Sequence, residues 1–381
     1  MRLGLSVALF TLCALGADVS PASRRIGDRM REMIASREIP GAVTLVATRE
    51  RVTHLEATGT ADSEGTKPLR QDSIFWIASM TKPITGTAIL MLQEEGKLSV
   101  DDPVGKYIPA LANLKTPSGK PANLTLKHLM THTSGLPEAT NEEARAAKKL
   151  EDLIPAYTNK PMQFEPGSQW KYCQSGINTL GRIIEVVSGR PYETFLAKRL
   201  FQPLGMKDTT FYLRANQVGR LVTPVKREQD GTLTPTTISL LQGKLATSTD
   251  RYPAANGGLF STAPDYARFA RMILNGGTLD GKRYLKPESI RQMTTIQTGD
   301  LKTGFTPGNG WGLTWCVVRE PQGVTEMLSP GTYGHGGAYG TQAWIDPVKG
   351  IAYILMVQRS NFGNSDASPV RLAFQQAAAG E

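Results

Sequence analysis

The chain has 381 residues, 40% of them hydrophobic and 20% charged, and carries a formal charge of +9. This is an ordinary globular composition with no low-complexity tract and no repeat, long enough for one large domain or two modest ones. The 43 lysines and arginines are scattered with no run of five or more, so the charge fits a solubility feature or weak attraction to anionic cell-surface polymers and excludes a nucleic-acid footprint.

The first residues have the form of a secretory signal. Arg2 supplies the charged start, residues 3–15 are apolar, and Ala14-Leu15-Gly16 or Ala17 offers a small-residue cleavage site. We therefore read 1–17 as a signal peptide and expect a secreted or periplasmic protein with no stable membrane insertion after cleavage. The apolar stretch is short for an uncleaved anchor, and Thr11 and Leu12 do not suit a lipoprotein signal at Cys13. Cleavage leaves Cys173 and Cys316, which is no disulfide framework; whether the two pair after export is left open.

Residues 18–381 are expected to form one domain. A first helix spans 23–39. Strands follow at 42–48 and 52–57, joined by the charged turn Arg49-Glu50-Arg51. The middle reads as helices and loops: a short helix at 126–130, an acidic–basic helix at 142–153, and one at 177–188 stopped by Gly189. Residues 211–255 carry few periodic signals and read as long loops around a site. An amphipathic helix at 263–274 follows, then strands at 311–318, 341–345 and 351–357, and a last helix at 369–378. The pattern predicts an α+β fold. One sheet is built from both chain ends (about 24–78 and 256–381), and a mostly helical region of about 79–255 is inserted between them.

The chemistry starts at WIASMTKPITGTAILMLQEEG, residues 76–96. An apolar run at 84–92, then Glu94 and Glu95, then Gly96 as a stop, predicts a helix. It has no charged face, so it is expected to be buried. Pro83 is tolerated in a first turn, where N–H groups lack intrahelical partners. Ser79 and Lys82, three residues apart, share a face of this helix. A serine hydroxyl needs a nearby base to become a nucleophile. A lysine serves only if desolvation or the helix dipole lowers its pKa toward neutrality. The Ser79 N–H is free to donate to an oxyanion. Ser-x-x-Lys recurs at Ser168–Lys171, but there it follows Pro166-Gly167 with no helical pattern directly after it. On four residues alone, a helix cap beside a solvated lysine is the better account of Ser79 and Lys82; the rest of the chain changes the balance.

Tyr172 lies on a loop before a helix. It is suited to exchanging protons if a neighbouring lysine lowers its pKa, although the commoner fate of such a tyrosine is a half-buried, hydrogen-bonded hydroxyl. Residues 334–340, GHGGAYG, suggest backbone approaching a substrate closely; a tight turn would explain the glycines but not His335. His128 and His132 have the spacing of a helical metal site but lack the zinc-protease glutamate and a third ligand, so neither metal nor cofactor is expected. His54, alone in a strand, reads as structural. No Gly-x-Ser-x-Gly elbow occurs, which argues against an α/β-hydrolase.

Together these stretches resemble the serine β-lactamase and penicillin-binding-protein superfamily, in the branch of class C β-lactamases, D-alanyl-D-alanine carboxypeptidases and family VIII carboxylesterases. SMTK (Ser79 to Lys82) matches the nucleophile motif. YCQ (Tyr172 to Gln174) stands at the second motif, usually Tyr-x-Asn. HGG (His335 to Gly337) stands at the third, Lys-Thr-Gly in many members and His-x-Gly in others. LKHLMTHTSGL, PGSQWKY, NGGLFSTAPDYARFA and NGWGLTW support the match over most of the chain after its first residues.

The resemblance implies a β-lactamase/transpeptidase-like fold, with the site between the sheet and the helical region. Ser79 would be acylated, Lys82 would act as or assist the general base, and Tyr172 would shuttle protons. The N–H groups of Ser79 and Ala338 would form an oxyanion hole. Gln174, His335, Gly336 and Gly337 would bind substrate, and HTSGL would be scaffold. It implies a serine hydrolase of esterase, D,D-peptidase or lactamase type, acting on a small ester, amide or D-amino-acid peptide. The expectation is esterase-like, with D-alanyl-D-alanine carboxypeptidase or weak β-lactamase as the alternative and a silent peptide- or β-lactam-binding protein as the rival of another class. Gln174 departs from the usual asparagine, and its extra methylene displaces the amide. His335 departs from the β-lactamase lysine; a mostly neutral imidazole holds a carboxylate less well, so penicillins and cephalosporins are expected to be poor substrates.

Overall fold

The computed structural model describes residues 20–380; the signal peptide read at 1–17 and Cys13 lie outside them. Seven strands form one antiparallel sheet: β1 (Gly41–Thr48), β2 (Val52–Gly59), β3 (Asn309–Trp311), β4 (Cys316–Val318), β5 (Tyr333–Gly336), β6 (Gln342–Asp346) and β7 (Ile351–Met356), in the order β2-β1-β7-β6-β5-β4-β3. The β1–β7 pairing, with Leu45 opposite Ile354, joins the two ends of the chain.

Six longer helices complete the frame: α1 (Pro21–Ala35), α2 (Thr81–Glu94), α3 (Gln174–Ser188), α4 (Ala263–Leu274), α5 (Pro287–Thr294) and α6 (Pro369–Ala379). Strand alternation sends successive side chains to opposite faces, and the central strands are buried on both. Val43, Leu45, Ile354 and Met356 join Phe269, Ala270 and Ile273 of α4 in the larger core. Ala42, Val46, Tyr353 and Leu355 join Ile26 and Met30 of α1 and Phe374 of α6 in a second core. The sheet is therefore the middle layer between α1/α6 and α4, and β1 carries no polar face.

Several expectations needed revision. The predicted strand 311–318 is two strands, β3 and β4, which pair with each other through a turn where Thr314 has φ +68°. The predicted helix 142–153 breaks after Asn141–Ala146. Ala147 turns extended and is buried, and Asp152 accepts from the N–H groups of Lys148 and Lys149 to start a new turn at Leu150–Leu153. The first helix stops at Ala35, short of residue 39, before Arg37 at φ +54°. Gly96 and Gly189 do end α2 and α3, with φ of +69° and +66°. Stretch 211–255 is largely loop, with a short helix at Ala215–Val218 and a ribbon of Val225–Arg227 with Leu233–Pro235. Cys173 and Cys316 are both buried and free.

Candidate active site

α2 is buried from Thr81 through Leu92. Its polar side chains are satisfied inside the protein: Thr85 Oγ1 donates to Ala255 O at 2.8 Å, and Thr87 Oγ1 to Pro83 O at 2.9 Å. Ser79 does not stand in the helix proper. It sits in a 3₁₀ turn, Ala78–Met80, that leads into it. Ala78 has φ +45°, a conformation costly for a residue with a Cβ. The turn is held by Ile77 N–H donating to Leu259 O at 3.0 Å and Thr81 Oγ1 to Ala78 O at 2.7 Å.

Lys82 is fully buried, and its ammonium nitrogen lies 3.0 Å from Ser79 Oγ and 2.7 Å from Asn256 O. Desolvation lowers its pKa from the usual 10.5 to about 7, against the opposing pull of Glu138 and other negative charges. Tyr172 presents its ring 4.5 Å from Lys82 Nζ. The condition set for it from the sequence, a pKa lowered by a lysine, is not met. Burial raises it well above the ordinary range, since a phenolate loses more hydration there than its surroundings return.

His335, Gly336 and Gly337 stand behind the site rather than on its wall. β5 is an interior strand, and His335 is only 3% exposed. Its Nδ1 lies 2.7 Å from Gly336 O, which can only accept, so Nδ1 carries the proton. Nε2 is then the acceptor facing Tyr172 OH at 3.4 Å. Burial pushes the imidazole pKa down to about 3, so it is neutral. Gly337 packs on the turn that carries Ser79: a Cβ there would lie 2.7 Å from Ile77 O and 2.1 Å from Thr341 Oγ1. That close approach brings Ala338 to the cleft beside Ser79. Among the described residues, neither the Ser79 nor the Ala338 N–H donates to a backbone acceptor, so both are available to an oxyanion.

Gln174 does not reach Lys82. Its Oε1 accepts from Asn256 Nδ2 at 2.9 Å, Asn178 Oδ1 accepts from Asn256 N–H at 3.2 Å, and the Asn256 carbonyl holds Lys82. The sequence reading did not single out Asn256; its place in the stretch NGGLFSTA was the available signal. Removing the Gln174 amide leaves Asn256 Nδ2 unpaired and loosens the carbonyl that orients Lys82. Gln174→Ala is expected to lower kcat about ten-fold, the worth of one such bond. Comparing its ester kinetics with Asn256→Ala and the double variant checks this, because a shared path makes the two losses less than additive.

The remaining candidates have other partners. Ser168 Oγ donates to Glu165 O at 2.7 Å, and Lys171 to Gln163, so the second Ser-x-x-Lys is unrelated to the site. His128 Nδ1 accepts from Thr125 N–H at 3.2 Å and His132 Nδ1 from Cys173 N–H at 3.0 Å, which ties each ring separately into the scaffold. His54 bonds Thr44 across β1 and β2 at 2.8 Å.

The cleft above Ser79 has a volume of about 470 Å³. Trp76, Tyr157, Tyr172, Leu240 and Tyr252 line it along with Gln174, Asn178 and Asn256. Glu138 is the single acidic side chain on its wall, and no lysine, arginine or histidine is among the described lining residues. Both Glu138 oxygens accept from the first N–H groups of α3, those of Gln174 at 2.5 Å and Ser175 at 2.9 Å. Tyr339 stands behind the wall: its ring packs edge-on against Trp76 at 4.8 Å, and its hydroxyl donates to Thr237 O at 2.8 Å, pinning the 237–242 loop.

A serine with a desolvated lysine at hydrogen-bond distance, two free N–H groups beside it and a cleft of aromatic and amide side chains is an arrangement suited to acyl transfer. The chain belongs to the Beta-lactamase family, whose sequence profile matches residues 26–378. It is a serine hydrolase of that family, with the β-lactamase/transpeptidase-like fold. It is 32% identical to Protein Rv1367c of Mycobacterium tuberculosis over 86% of this chain and 88% of that one. It is 27% identical to Esterase EstB of Burkholderia gladioli over 96% and 97%. The solved structure of EstCE1, a hydrolase with promiscuous acyltransferase activity, superposes with a TM-score of 0.82 at 24% identity, covering 94% of this chain and 98% of that one.

Proposed function

We propose that the protein is an exported esterase that hydrolyses small esters of uncharged acyl groups through a covalent acyl-enzyme on Ser79. One observation carries the choice of substrate: the cleft wall holds Glu138 and no cationic side chain among its described residues. β-Lactams and D-alanyl peptides present a carboxylate. Here it would find no counter-ion on the wall, a neutral buried His335, and an acid nearby. A neutral ester meets no such cost. Resemblance to Esterase EstB along nearly its whole length supports the same reading, and the apolar stretch 3–15 after Arg2 supports export.

In this mechanism neutral Lys82 takes the Ser79 proton as Oγ attacks the acyl carbon. The oxyanion forms against the N–H groups of Ser79 and Ala338. Tyr172, whose hydroxyl stands between Ser79 and His335, stays protonated and relays a proton from Lys82 to the departing alkoxide. Water then attacks the acyl-enzyme, and the same groups return the proton to Ser79.

The test sets p-nitrophenyl butyrate, nitrocefin and a D-Ala-D-Ala peptide side by side. The ester is expected to show a kcat/KM at least about 10²-fold above the other two, the order of discrimination left by an unpaired buried charge. Efficient cleavage of nitrocefin or the peptide would overturn the reading.

A further inference from the structure

A second hollow, of about 780 Å³, shares no lining residue with the cleft. It lies among the end of α4, the helix α5, strands β4 and β5, and the turns that follow β1 and β6. Its floor is apolar and buried: Ile273, Ile290, Val317 and Tyr333 are each no more than 6% exposed. Its rim carries Arg49, Arg291 and Arg319, and no acidic side chain is among the described lining residues.

The three arginines are not equally neutralised. Arg291 pairs with Glu288 at 2.9 Å, and Arg319 faces Asp300 at 3.7 Å. Arg49 instead donates to two main-chain carbonyls across the hollow, those of Leu274 and Pro347. Neighbouring Glu50 accepts from Thr48 Oγ1 at 2.8 Å rather than pairing with the guanidinium. The Arg49 guanidinium is thus fixed in place with no carboxylate in salt-bridge contact among the described residues. Its turn is clamped as well, since Asn275 Nδ2 donates to Arg49 O at 2.9 Å and Arg271 to the same oxygen at 3.2 Å. A preformed apolar hollow of this size with a few convergent polar groups on its rim has the character of a ligand site.

We propose that this hollow binds a free long-chain carboxylate, with its alkyl chain along the Ile273–Ile290–Val317 floor and its head group at Arg49. The two halves of the site suit the two halves of that ligand: the Ile273–Ile290–Val317 floor favours an alkyl chain, and the rim favours an anion over a neutral or cationic head. A planar guanidinium also matches a carboxylate better than a single-point anion.

The experiment is calorimetric titration of the full protein with dodecanoate below its micellar concentration. Saturable one-to-one binding is expected, weakened about ten-fold or more in Arg49→Glu, weakened less in Arg49→Lys, which keeps the charge but loses the fork, and blocked in Ile290→Trp, which fills the floor. Ester turnover reports that each variant is folded; should Ile290→Trp fail that check, the Arg49 pair decides. Protein phosphonylated at Ser79 should bind dodecanoate as before. Absence of saturable binding overturns the proposal, as does equal affinity for dodecyltrimethylammonium. Loss of binding on phosphonylation would assign the ligand to the catalytic cleft. Binding only to phosphatidylglycerol vesicles would assign the arginines to a membrane surface. Either result also overturns it.

Discussion

Ser79→Ala is expected to lower ester turnover by about 10⁴–10⁶-fold, the range seen when a hydrolase loses its nucleophile. The protein should still fold. Ser79 Oγ has Lys82 Nζ as its hydrogen-bond neighbour at 3.0 Å, and Lys82 keeps the Asn256 carbonyl at 2.7 Å when the hydroxyl is gone. The turn itself is held by main-chain bonds and Thr81, which the substitution does not touch. Burst-phase release of p-nitrophenol, with mass detection of one acyl or phosphonyl group on the protein, is the measurement. Wild type should show both and Ser79→Ala neither. Ser168→Ala is the matched control, because Ser168 Oγ is occupied by Glu165 O at 2.7 Å and should show no loss. Turnover that survives in Ser79→Ala would mean that another group attacks the ester.

Much of this site was legible because its signals are local. Ser79 and Lys82 meet through helical spacing, and the apolar run after them is why α2 is buried and Lys82 desolvated. The end of α2 at Gly96 follows from a residue that alone adopts positive φ without cost. What was not legible depends on chain segments distant in sequence. Asn256 acquires its importance from Gln174, 82 residues away. The strand expected at 311–318 is all apolar and aromatic apart from Gly312 and Thr314, so periodicity alone does not reveal the reversal at Thr314. The direction of the Tyr172 shift was not legible for a related reason. Proximity to a lysine is visible in a motif, whereas the burial that outweighs it is a property of the folded chain. His335 shows the same limit. Its glycine-rich setting suggested contact with substrate, yet Gly337 lets the turn after β5 pack on Ile77 O, Gly334 and Gly336 pack on Trp344 and Gln342, and the imidazole is left behind Tyr172.

Lys82 makes the second large prediction, and it concerns pH. If the lysine is the general base, only its neutral form is productive. With a pKa of about 7, kcat/KM should rise ten-fold per pH unit below that value and level off above it. Lys82→Arg stays protonated throughout and should lose about 10³-fold or more, the worth of a general base with part of its positioning. A limb that persists near pH 7 in Lys82→Arg would assign it to another group and sink the proposal. The same burial has an opposite effect on stability. Below pH 7 the lysine holds its proton in both the folded and unfolded states, and the folded state bears the whole desolvation cost. Between about 7 and the ordinary 10.5 the unfolded chain binds the proton and the folded chain does not, so unfolding becomes less favourable as pH rises. Lys82→Met, which keeps the volume and removes the charge, should therefore melt at a higher temperature than wild type at neutral pH. That difference should shrink toward pH 10. An inactive variant more stable than its parent, with the gap closing over this window, would tie the cost of the buried lysine to its use as a base.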